Sequence, residues 1–137
     1  MSPPDPTLPS LPFLQAAGFV ALGGAMGSVL RYFSLEGARH IFGAGFPVGT
    51  LAINIIGSCA LGVLMGVIAM RTDPGHAWRL FAGVGLLGGF TTFSAFSLDT
   101  IVLIEKGSIG PAAAYVIATV ILSVLALFGG LALGRTL

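Results

Sequence analysis

Four stretches of the chain carry no charged side chain: Thr7 to Leu30, 41–70, 80–98 and 107–134. Each meets or approaches the roughly 20 apolar residues that a helix needs to cross a bilayer. The pattern predicts four transmembrane helices, over 13–33, 48–70, 80–104 and 112–134. Polar positions break this background at helical spacing. Thr50, Asn54 and Ser58 recur every four residues, and so do Tyr115, Thr119 and Ser123, so each trio falls along one helix face. Ser and Thr in such a place either back-bond to their own helix carbonyls or face a wet path. Asn54 is harder to satisfy locally, because its amide brings two donors and an acceptor. A third feature is GGFTTFSAFS at 88–97, where glycines and β-branched or hydroxylated residues weaken a helix inside an apolar span.

Composition agrees with the pattern. The 137 residues are 55% hydrophobic and 8% charged, with a mean hydropathy of +1.01, unlike a soluble domain. The short loops leave no room for a soluble catalytic domain. The first twelve residues hold five prolines and no cation. They lack the basic region of a signal peptide and are expected to form a flexible lead to a four-helix domain over 13–137. The lone Cys59 is expected to be a small packing residue. His40 and His76 are expected in loops on opposite faces of the membrane.

Charge sets orientation in membrane proteins, the cytoplasmic side collecting Lys and Arg. Here four helices put Arg71, Arg79 and Arg135 on one side and Arg31, Arg39 and Lys106 on the other. The balance is compatible with a weakly biased insertion. It is equally compatible with insertion both ways and an antiparallel two-fold dimer, in which the same patch of both copies meets at the axis. Four small-residue pairs, Gly23/Gly27, Gly62/Gly66, Gly85/Gly89 and Gly130/Gly134, allow close helix approach in lipid.

Ionisable residues are expected only near helix ends: Asp99 and Glu105 late in the third helix, Glu36 just past the first, and Arg31 at the end of the first. Arg31 either snorkels to the interface or attracts anions into a vestibule. Neutral donors without deep charge suit a small anion, which must be able to leave as well as enter. Phe93 and Phe96, three apart, share a helix face, and aromatic edges are electropositive.

These segments resemble the Fluc (CrcB-type) fluoride channels over nearly all of 17–134. GGAMGSVLRY (23–32) looks like the family's first helix and GTLAINIIGS (49–58) like its second. GGFTTFSAFS (88–97) looks like its broken third, and Tyr115, Thr119 and Ser123 like the hydroxyl track of the fourth. The resemblance implies an all-α integral membrane protein, assembled as an antiparallel, dual-topology homodimer with two fluoride pores. It implies that Asn54 donates to the ion, that Phe93 and Phe96 present ring edges to it, and that Arg31 lies at a vestibule. It further implies a structural sodium ion (Na+) at the dimer centre, held by the backbone carbonyls of Gly88 and Thr91. Ala95 departs from the family pattern, which often has a hydroxyl there. Fluoride, a second copy and membrane lipid are then the partners, with no nucleic acid, and a bacterial inner membrane is the expected location.

Other classes fit less well. A small multidrug antiporter would carry a carboxylate deep in the first helix, and residues 13–30 hold none. A membrane scaffold would leave the two polar stripes without a purpose. An enzyme is not expected, since no span pairs a nucleophile with a base and no phosphate-binding loop is present.

Overall fold

The computed structural model describes residues 12–70 and 76–137; the proline-rich lead over residues 1–11 lies outside them. Six α-helices follow in order: α1 Phe13–Phe42, α2 Val48–Met70, α3 His76–Trp78, α4 Gly88–Phe90, α5 Phe93–Glu105 and α6 Ile109–Gly134. A π-helical stretch, Arg79–Leu87, joins α3 to α4. Among the described residues, four spans are long and apolar enough to cross a membrane: Phe13–Phe42, Val48–Met70, Arg79–Glu105 and Ile109–Gly134.

α1 continues nine residues beyond the expected end at 33. Nothing in RYFSLEGARHIF breaks a helix, and loss of hydrophobicity marks a bilayer boundary, not a helix boundary. The helix stops at Gly43, whose φ of 75° suits glycine, and whose N–H donates to the Arg39 carbonyl. Glu36 and His40 therefore lie within α1, not beyond it, and His76 opens α3. Arg39 Nη1 lies 3.4 Å from Glu36 Oε1, an exposed pair one turn apart. α6 starts three residues before the expected 112 because Pro111 sits in its first turn, where a missing N–H costs no helical bond.

The glycine pairs seat the helices two by two. A Cβ on Gly62 would strike the Leu127 carbonyl oxygen, and one on Gly66 would lie 2.6 Å from that of Leu131. α2 and α6 thus run parallel in backbone contact. Gly23 and Gly27 likewise leave room for the backbone of the π-helical stretch and α4. Close backbone approach replaces the apolar drive that lipid does not supply.

The buried core is small: Ile53, Ala82, Phe96, Leu103, Ala112 and Tyr115. Leu22, Met26, Phe33, Leu125 and Phe128 are among the many large apolar side chains that face outward. Such an exterior is soluble in hydrocarbon.

Candidate functional site

The site is built around two residues between α4 and α5. Thr91 (φ −77°, ψ 158°) and Thr92 (φ −153°, ψ 120°) are extended, a conformation that β-branched residues tolerate well. Thr92 caps α5: its Oγ1 accepts the Ala95 N–H at 3.2 Å. From α2, Asn54 holds the same residue on both sides. Its Oδ1 accepts the Thr92 N–H at 2.9 Å, and its Nδ2 donates to the Thr92 carbonyl at 3.2 Å. Gly57 opens the space beside this link, since a Cβ there would run into Thr91 Cγ2.

These bonds redirect two amides. In an uninterrupted helix, Thr92 would donate to the Gly88 carbonyl and Ala95 to that of Thr91. Asn54 Oδ1 and Thr92 Oγ1 take those donors instead. The Gly88 and Thr91 carbonyls are thus among those left without a helical donor at this link.

A cavity of about 270 Å³ lies against the link, lined among others by Asn54, Ser58, Phe93, Phe96, Thr119 and Ser123. The structure therefore gathers two members of each polar stripe and both phenylalanines around one space, and leaves Thr50 and Tyr115 outside its lining. Phe96 is buried and Phe93 is 78% exposed, their ring centroids 5.4 Å apart. Thr119 Oγ1 and Ser123 Oγ are buried with no hydrogen-bond partner among the described residues. Back-bonding would have been available to them: Ser34, Ser97 and Thr100 each donate to the carbonyl four residues earlier. Both α6 residues line the cavity. A buried, unpaired hydroxyl costs about 1–3 kcal/mol.

Tyr115 is fully buried and lines neither this cavity nor a second one, but it touches a lining residue of each. Its ring lies 5.4 Å from that of Phe96, and its hydroxyl donates to Asp99 Oδ2 at 3.3 Å. Thr50 Oγ1 donates to the same oxygen at 2.7 Å. Asp99 lines a cavity of about 410 Å³ that also includes Glu36, Arg39, Thr50 and Lys106. Its part in the site was not anticipated from the sequence. The signal was its position three residues after Phe96, which puts both on one face of α5. Arg31 is half-buried in α1 and lines neither cavity; its neighbour Tyr32 lines the larger.

The family described as CrcB-like protein, Camphor Resistance (CrcB), matches residues 18–131. This chain belongs to that family. Among its relatives, the fluoride-specific ion channel FluC of Rhodospirillum centenum is 52% identical over 117 residues, 85% of this chain and 93% of the relative. That of Novosphingobium aromaticivorans is 50% identical over 124 residues, covering 89% and 98%. That of Agrobacterium fabrum is 49% identical over 118 residues, covering 86% and 94%. Membership in the CrcB family and the four membrane-length spans make the chain a multi-pass membrane protein.

Proposed function

We propose that this CrcB-family protein is a fluoride-selective channel that lets fluoride leave the cell passively. The observation that carries the reading is the pair of buried, unpartnered hydroxyls of Thr119 and Ser123, two residues that line the cavity beside Phe93 and Phe96. It is supported by relatives of about half-identical sequence that bear the name fluoride-specific ion channel. A small anion entering the cavity gains O–H donors from α6 and the positive edges of the two rings. Each hydrogen bond to a charged group contributes about 1.5–3 kcal/mol. Several in series offset dehydration without a fixed positive charge that would trap the ion. Tyr115, held by Asp99, stands at the end of this hydroxyl row.

In this reading two copies insert in opposite directions and pair around a two-fold axis, giving two pores. The near-equal charge on the two sides favours this arrangement, and the outward ring of Phe93 would then meet the second copy. The break in the third span would present the Gly88 and Thr91 carbonyls to the axis. Four oxygens, two from each copy, form a hard donor set that fits a sodium ion. The diverted helical donors are what leave those oxygens available for it. The ion would supply positive charge that locks the two broken helices together. The expected setting is the inner membrane of a bacterium, where fluoride trapped after entry as neutral HF can leave.

Two tests apply. Expression in a bacterium lacking its own fluoride exporter should restore growth in acidic fluoride medium; no rescue by a membrane-inserted protein would refute the export role. Single cysteines placed in the 43–47 loop should label from both sides of the membrane. Labelling from one side alone would rule out the antiparallel dimer.

A further inference from the structure

Ser58 is the one member of the α2 stripe that the protein does not spend on itself. Thr50 is bonded to Asp99, and Asn54 is held on two sides by the Thr92 backbone. The cross-helix bonds that α2 makes to α5 among the described residues stop there. Ser58, one turn further on, lines the cavity beside the link.

The packing of α2 on α6 says what lies beside Ser58. Gly62 seats on the Leu127 carbonyl oxygen and Gly130 on that of Cys59, so the two helices run parallel in backbone contact within a turn of Ser58. Thr50 of α2 and Tyr115 of α6 converge on one carboxylate oxygen, Asp99 Oδ2. Further along, Asn54 is fixed by Thr92 while Thr119 has no hydrogen-bond partner among the described residues. Ser58 and Ser123 line the same cavity, and Ser123 Oγ is again buried without a partner.

We propose that Ser58 is an anion ligand supplied by α2, acting beside Ser123 at one level of the hydroxyl ladder. This inference rests on the channel reading above. A serine hydroxyl rotates freely to donate, whereas the Asn54 amide is oriented by its two bonds to Thr92. An anion at this rung would receive donors from both helices, not from α6 alone.

The test uses the full chain in liposomes loaded with fluoride, with release followed by a fluoride electrode. Ser58→Ala should slow fluoride release by about tenfold or more, the effect of losing one hydrogen bond to a charged group. Ser58→Thr, which keeps the hydroxyl, should stay within a few-fold of wild type. Ser58→Cys on a Cys59→Ala background should conduct until silver ion is added and then stop, because silver binds a thiol that lines the path. Wild-type rates in Ser58→Ala, or silver-insensitive release through Ser58→Cys, would overturn the assignment while leaving the channel reading intact. No fluoride release from the wild type would overturn the reading and this assignment together.

Discussion

Thr119→Val separates stability from function in a way that follows directly from the site. Valine has nearly the shape of threonine and removes only the hydroxyl. Thr119 is 5% exposed and its Oγ1 has no hydrogen-bond partner among the described residues. A buried unpaired hydroxyl costs about 1–3 kcal/mol relative to an apolar replacement of the same shape. The variant should therefore be at least as stable as wild type without fluoride, with an apparent melting temperature in detergent unchanged or raised by several degrees. Conduction should move the other way. One lost hydrogen bond to an anion, at about 1.5–3 kcal/mol, lowers occupancy of that rung by about 10- to 150-fold. Thermal unfolding and fluoride efflux on the same preparations give both numbers. A less stable variant that conducts at the wild-type rate would mean that Thr119 bonds within the protein, and the ligand role would fall.

Four further outcomes follow from particular contacts. Asn54→Ala strips both partners from the Thr92 backbone and should cost about 2–4 kcal/mol by leaving two polar groups unpaired, read as a lower melting temperature in detergent. Gly130→Ala places a Cβ against the Cys59 carbonyl oxygen and 3.0 Å from Val63 N, so it should destabilise by about 1–3 kcal/mol. Gly129→Ala, with nothing within 4 Å, should be neutral or stabilising by about 0.5–1 kcal/mol, which makes it the control in the same unfolding assay. Replacing sodium by a large organic cation on both sides of the membrane should abolish efflux if the Gly88 and Thr91 carbonyls hold a structural sodium ion; unchanged efflux would remove that ion from the account.

Much of the fold was legible because apolar length is a strong signal. α2 runs over the residues expected of it, and each of the four spans overlaps one of the charge-free stretches. The end of α1 was not legible, since a helix can leave the membrane without ending. Nor was the π-helical stretch, which leaves no mark in residue spacing; its Gly85 packs against the α1 backbone. At the site, spacing of four placed each stripe on one face but could not decide between back-bonding and an open hydroxyl. Rotamers and neighbours decide that, and in this chain Ser97 and Thr100 went one way while Thr119 and Ser123 went the other. Asp99 was read as a residue near a helix end, and distance along the span hid its contact with Tyr115, sixteen residues away. The pinning of Asn54 on Thr92 needs two segments 38 residues apart and is a tertiary fact.

The central claim is that the cavity beside the Thr91–Thr92 link passes fluoride. Passive efflux from proteoliposomes tests it most directly, with a fluoride-loaded set, a chloride-loaded set and Phe93→Ile beside the wild type. Rapid fluoride release, little chloride release and loss of release in the variant are predicted. Well-folded protein that releases neither ion, or both at equal rates, would contradict it.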